Sequence, residues 1–303
     1  MIKKSYRVMA ILITGYLVSG CSMVINTFTE NLNHAVRSSN DPQTIMQALP
    51  AYIVLIDGML EGDPDDKNML LASANLMTAY STLLGAQTDP VDDLPEYQFQ
   101  KIRNQQKILN RKALDRAEKA ICIQNDELCN ITHLVYKRLE EKLSDIDKND
   151  IDTLYRMGTA WVSWLQVNTD NWNGMAKIAQ IKLILETVVA YDENIDNANV
   201  HVYLGVLNSL IPASLGGKPE KGKAHFESAI KISKGSNLMA KVLYAEYYAR
   251  LMFDESLHQK LITDILSIEN NTHSYDENNN HSLINTLAIE KAKKLQRSAA
   301  DYF

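Results

Sequence analysis

Apolar residues recur along this chain at spacings of three and four, the signature of amphipathic helices, and strict alternation of apolar and polar positions is rare. A first such stripe is Val24, Phe28, Leu32 and Val36. Asp41-Pro42 then opens a second segment to Leu60, with Asp as N-cap, Pro in the first turn, and Pro50 predicting a kink or restart inside it. Gly62-Asp63-Pro64-Asp65 breaks the pattern, and helical spacing resumes at Met69, Leu70, Ala74, Leu76, Met77 and Tyr80. After an acid- and Pro-rich loop from Gly85 to Pro95, a charged helix is expected from Glu96 to Cys122. Residues 144–152 read as a polar linker. Helices follow at about 151–166, 174–191, 197–211, 219–233, 236–252 and 254–268, then an Asn-rich loop from Asn270 to His281 and a last helix from Leu283 to Arg297. Short links between such helices imply antiparallel hairpins.

Only 12 Gly and 7 Pro in 303 residues leave too few turn residues for a β-sandwich or barrel, so the fold class is all-α. Small residues fall where paired helices would cross: Gly205 on one, Gly222-x3-Phe226-x2-Ala229 on the next, with Gly158-x2-Trp161 and Ala245-x2-Tyr248 in neighbouring hairpins. Their irregular spacing of roughly 40 to 47 residues fits a degenerate solenoid or bundle like tetratricopeptide (TPR) repeats.

The N-terminus has its own grammar. Lys3, Lys4 and Arg7 precede an apolar run from Val8 to Val18, too short for a permanent membrane span. Val18-Ser19-Gly20-Cys21 then resembles a bacterial lipobox, in which Cys21 is lipid-modified and begins the mature protein. The expected organisation is a signal peptide over 1–20, a lipidated tether and first helix over 21–40, and a helical domain over 41–303. Ser22 in place of an aspartate leans toward the outer membrane over the inner. Removing residues 1–20 takes three of the 31 cations and no acid, moving the formal charge from -6 to -9. So acidic a domain does not bind nucleic acid, and its membrane attachment must rest on the acyl anchor.

Cys122 and Cys129 remain. In an exported protein a disulfide is expected, but seven residues of unbroken helix would separate them by roughly 10 Å along the axis, beyond the roughly 7 Å limit for a bridge. Either the helix ends between them, at Gln124-Asn125-Asp126, or both stay free.

Two blocks carry a family resemblance. The first is Ala48-Leu49-Pro50-Ala51-Tyr52-Ile53-Val54-Leu55-Ile56-Asp57-Gly58-Met59-Leu60, followed by Asp63-Pro64 and the helix to Tyr80. The second is Leu215-Gly216-Gly217-Lys218-Pro219-Glu220, then Ala224-His225-Phe226, then Asn237 through Arg250. Together they resemble the T component (TatT family) of tripartite ATP-independent periplasmic (TRAP) transporters, lipoproteins with a TPR-like helical domain. That resemblance, over roughly 41–300, implies a periplasmic solute-binding protein as partner, an organic acid or apolar solute, and no catalysis.

The residues expected to meet a ligand or partner are Tyr52, Asp57, Lys218, Lys241, Tyr244, Tyr247 and Arg250. Aromatics at helical spacing are ordinarily core, and Asp57 before Gly58 is ordinarily a cap or half of an ion pair. The sharper reading puts Lys241 and Arg250 at a groove that receives a carboxylate ligand or an acidic partner. Trp161 and Trp164 read as core or subunit contact, or as the wall of an apolar tunnel. Gly216-Gly217-Lys218-Pro219 lacks phosphate-loop spacing, Asp63-Pro64-Asp65-Asp66 lacks an EF-hand ladder, and no two histidines stand at i, i+4. No metal, no cofactor and no enzymatic constellation is expected. The functional expectation is a membrane-anchored accessory subunit of a TRAP-type system, facing the periplasm. The alternative is an envelope scaffold of TPR type with no small-molecule ligand. Exposed solenoid faces leave room for a homo-oligomer.

Overall fold

The computed structural model describes residue 27 and residues 29–88, 94–169, 172–270 and 281–303. The leader, Cys21, Phe28, the centre of the 85–95 loop and the Asn-rich segment lie outside them. Among the described residues every regular element is helical: α1 (29–38), α2 (Pro42–Gly62), α3 (Lys67–Ala86), α4 (Glu96–Gln124), α5 (Tyr136–Leu143), α6 (Ile151–Gln166), α7 (Trp172–Met175), α8 (Ile178–Tyr191), α9 (Ile195–Ser209), α10 (Pro219–Ile232), α11 (Leu238–Leu243, continuing as a π-helix over Tyr244–Ala249), α12 (Glu255–Asn270) and α13 (Ser282–Arg297).

Local chemistry sets the boundaries. Asp41 caps α2 by accepting from the Thr44 amide at 3.0 Å, with Pro42 in the first turn. Asp66 caps α3 through the Met69 amide at 2.9 Å, and Asn237 caps α11 through Ala240 at 3.2 Å. Pro50 does not restart α2, which is one helix from Pro42 to Gly62. The helix ending Cys122 needs to meet Cys129 is present: α4 stops at Gln124, a 3-10 turn covers Asp126–Leu128, and the two cysteines are joined with Cα atoms 4.3 Å apart.

Successive helices pack as antiparallel neighbours, α2 on α3, α3 on α4, α4 on α6, α6 on α8, α8 on α9, α9 on α10 and α12 on α13. One apolar core runs from α1 to α9 around Leu154, Met157 and Trp161; a second joins α9 to α13 around Phe226, Ala245 and Ile265. Gly205 is what lets α9 and α10 touch. A Cβ there would sit 2.7 Å from Cε1 of Phe226, and one on Gly222 only 2.8 Å from the Gly205 carbonyl oxygen.

The expected polar linker at 144–152 is instead part of the fold. Ile146 and Asp150 are both 5% exposed. Gln124 and Asn125 each donate to the Asp150 carboxylate at 2.8 Å, which satisfies a buried charge and fastens this turn beside the disulfide.

Candidate functional site

Two half-open cavities lie side by side in the stack. The larger, about 590 Å³, is lined by α1, α3, α6, α9 and the start of α13; the smaller, about 340 Å³, by α3, α4, the end of α6, α9, α11 and α13. Thr78, Thr82, Asn199, Tyr203, Ile284 and Leu287 line both, so one wall serves the two chambers. Leu76, Leu83, Ile284 and Leu287 give the larger chamber an apolar floor.

Its polar end is built around Asp196. This residue, Asn197 and Ala198 stand in the left-handed region, with φ of 51°, 56° and 62°. Asp and Asn tolerate that region better than most residues, yet three in succession cost on the order of 1 kcal/mol each. Surrounding bonds hold them there. Asp196 forms an ion pair with Arg37 of α1, and its other oxygen accepts from the Tyr155 hydroxyl at 2.8 Å and from Asn199 at 3.2 Å. Asn237 donates to the Asn197 carbonyl at 3.2 Å. Arg37 also lies 3.4 Å from Nδ1 of His281. Burial pushes the Tyr155 hydroxyl well above the usual phenol range and the Asp196 charge adds to it, while burial and then the Arg37 charge push His281 down. Tyr203 is raised by burial and then by Asp196. Tyr203 lines both chambers.

The smaller chamber carries the Glu246–Lys291 ion pair at 2.8 Å, and the buried Gln106 and Asn110, whose amides donate to Ser81 at 2.8 Å and Ser163 at 2.9 Å. Tyr247 faces it, with its hydroxyl raised by burial and then by Glu246.

Of the residues singled out from sequence, Tyr247 alone lines a chamber. Asp57 pairs with Arg116 of α4 at 2.6 Å, an ordinary interhelical ion pair. Tyr244 is core: it stacks on Phe226 with ring centroids 5.3 Å apart and donates to Glu227 at 3.2 Å. Tyr248 donates to Glu220 at 2.8 Å, which together with burial raises its hydroxyl to about 12. The aromatic face expected on one side of α11 is therefore split, with Tyr244 and Tyr248 toward α10 and Tyr247 toward the chamber.

Arg250 lines neither chamber. It donates to Ser298 at 2.8 Å and lies over the Tyr302 ring, 3.8 Å from its centroid, so it fastens the C-terminus. Glu246 neutralises Lys291 of α13 and neither Lys241 nor Arg250, because α13 packs across α11. Lys241 is half-buried, Lys218 exposed, and Tyr52 36% exposed; none of the three lines a chamber. Trp161 is core and Trp164 half-buried beside Gly174, whereas Trp172 is 88% exposed. Sequence spacing missed Arg37, Asp196, Tyr155 and Tyr203, because they converge from α1, α6 and α9. His201 and His225 likewise meet with Nδ1 atoms 2.9 Å apart although 24 positions separate them.

A family model described as the TRAP transporter T-component (TAtT) matches residues 38–303. The chain belongs to this family. Nearly the whole helical stack, including α3, α6, α9 and α13 around the chambers, lies within the matched region; α1 precedes it almost entirely. An uncharacterised protein of Treponema pallidum (strain Nichols) is 22% identical over 273 residues, covering 87% of this chain and 81% of the relative. Membership associates this T-component with the TRAP system and a cell-envelope location, in a family of transport accessories that is generally non-enzymatic.

Proposed function

We propose that this T-component is tethered to the membrane through Cys21, faces the periplasm, and docks the solute-binding protein of a TRAP system while its paired chambers hold an apolar ligand bearing a carboxylate. One observation carries the ligand part: Leu76, Leu83, Ile284 and Leu287 line the same cavity as Arg37 and Arg156, with Tyr203 on the wall the two cavities share. That division, an apolar patch beside a wall of charged and polar side chains, suits a small amphiphile. Each guanidinium already has a carboxylate partner, Arg37 with Asp196 and Arg156 with Asp152 at 2.8 Å. An incoming carboxylate therefore exchanges for Asp196 and does not meet a bare cation. Among the sequence candidates, Lys218 and Lys241 are kept for the partner surface, and the opposite charge of an acidic partner would draw them.

The test is purification of the chain from its native membranes, with mass spectrometry of both co-purifying proteins and extractable small molecules. A solute-binding protein retained by wild type, and a carboxylic acid lost on Leu287→Trp, are the expected results. Retention of envelope-assembly proteins alone, with no extractable ligand, would replace this reading with that of a scaffold.

A further inference from the structure

Acidic residues are spread unevenly along this chain. Of its 303 residues 37 are Asp or Glu, yet residues 171–185 and 197–219 contain neither. The fold brings these two stretches together. α8 and α9 pack as antiparallel neighbours, so Lys182 near the start of α8 reaches the end of α9, where its ammonium donates to the Asn208 side-chain oxygen. The Lys218 amide donates to the Asn208 carbonyl at 3.3 Å, and Lys221 follows one turn along α10, its amide 2.9 Å from the Lys218 carbonyl.

Three ammonium groups therefore gather at one corner. Burial holds Lys182 below the usual lysine range; Glu186 raises it, and the charges of Lys218 and Lys221 lower it further. Like charges held together repel unless an anion answers them. The neighbouring acid on α10 is occupied elsewhere, since Glu220 accepts from the Tyr248 hydroxyl at 2.8 Å, toward α11. Two apolar side chains stand out at the same end of the stack. Trp172, on the short helix that leads into α8, is 88% exposed, and Leu215, in the turn before α10, is 76% exposed. That turn is rigid. The Gly217 amide donates to the Pro212 carbonyl at 3.0 Å, and a Cβ on Gly217 would lie only 1.7 Å from the Ile211 carbonyl oxygen.

We infer that this corner, with Lys182, Lys218 and Lys221 around Leu215, is where the solute-binding protein docks, through an acidic segment of its surface. The inference rests on the transport reading and adds to it the place and the chemistry of the contact. Charge complementarity carries it: in a chain of formal charge -6 most faces repel an acidic partner, and a corner built from two acid-free stretches attracts one. Apolar anchors within a charged rim are the ordinary anatomy of a protein interface. Rigidity argues the same way. A fixed turn loses little freedom on meeting a shaped protein surface, whereas a fluid lipid surface asks only for basic charge within reach.

A photo-reactive phenylalanine analogue in place of Leu215, in the full chain in native membranes, tests the placement. Expected is a cross-link to an Asp- and Glu-rich segment of a solute-binding protein, located by mass spectrometry, and none from the same analogue in place of Ile108 on the exposed face of α4. Lys218→Glu with Lys221→Glu should weaken co-purification of that protein by about tenfold or more. Raising NaCl from about 50 mM to about 500 mM should do the same to wild type. Both lysines are exposed at the start of α10, where acids suit the helix dipole, so the double variant should keep the wild-type melting temperature. Cross-linking to lipid alone, a contact segment without acids, equal cross-linking from position 108, or co-purification indifferent to the charge reversal would each overturn this docking surface. A solute-binding protein that still co-purifies would then leave the transport reading standing. Its absence from wild-type preparations at every salt concentration would overturn both.

Discussion

The substitution Gly→Ala should have opposite signs at two helical positions of this protein. At Gly58 the added methyl group meets nothing within 4 Å, so the monomer keeps the full gain in helix propensity, about 1 kcal/mol. At Gly205 the same methyl group lands 2.7, 2.8 and 2.9 Å from three carbons of the Phe226 ring. Phe226 is fully buried and is backed by the stacked ring of Tyr244 at 5.3 Å, so it has no room to retreat. Overpacking of this kind costs about 1–3 kcal/mol, which outweighs the propensity gain and leaves roughly 1–2 kcal/mol of net destabilisation. Urea unfolding followed by far-ultraviolet circular dichroism at pH 7.5, at low protein concentration, should show the midpoint rising for Gly58→Ala and falling for Gly205→Ala. In the double variant Gly205→Ala with Phe226→Leu the two losses should fall short of additive by about 1 kcal/mol, because the smaller side chain removes the clash. A Gly205→Ala protein as stable as Gly58→Ala would refute the claim that this glycine exists to let α9 and α10 approach.

Stability should also decline in mild acid. Burial holds His201 below its usual range; His225 is lowered to about 4 by burial and then by the charges of His201, Lys182 and Lys221. The unfolded chain thus binds more protons between about pH 6.5 and 4, so this contribution is complete above pH 6.5 and lost as pH falls toward 4. Urea midpoints at pH 7.5, 6 and 5 should drop in that order, less steeply for His225→Gln; a flat profile would contradict the buried, neutral pair. Cys122→Ser with Cys129→Ser should cost about 2 kcal/mol, the loop entropy of a short bridge, read as a lower melting temperature under non-reducing conditions that wild type matches only after reduction. Asp196→Ala should remove the acceptor shared by Arg37, Tyr155 and Asn199, and faster hydrogen exchange in α1 and at the start of α9 is the expected signature. Unchanged exchange there would mean that α1 is held without the Asp196 cluster.

Much of the architecture was legible along the chain because it rests on local rules. Asp41-Pro42 opens α2 as read, with Asp41 as its N-cap, and the expected helix over 151–166 coincides with Ile151–Gln166. The pairing of Gly205 with Phe226 was also readable, since a small residue opposite a large one is how two helices come close. Errors arose where polarity was equated with exposure. Residues 144–152 look like a linker, yet Asp150 is buried because two amides from the end of α4 satisfy it. Charged and aromatic residues of α11 looked like a binding face, yet Arg250 and Tyr244 spend their polar atoms on Ser298 and Glu227.

The chambers were not legible at all. Arg37, Asp196 and His281 stand 159 and 85 positions apart in turn, and no periodicity links them. Sequence by itself determined that the chain is helical, where most helices begin, and which family it belongs to, because caps, periodicity and motif blocks are properties of neighbouring residues. Only the tertiary structure decided which polar groups are consumed by the fold and which remain for a guest. Burial and hydrogen-bond partnership are settled between elements, after each helix has already formed.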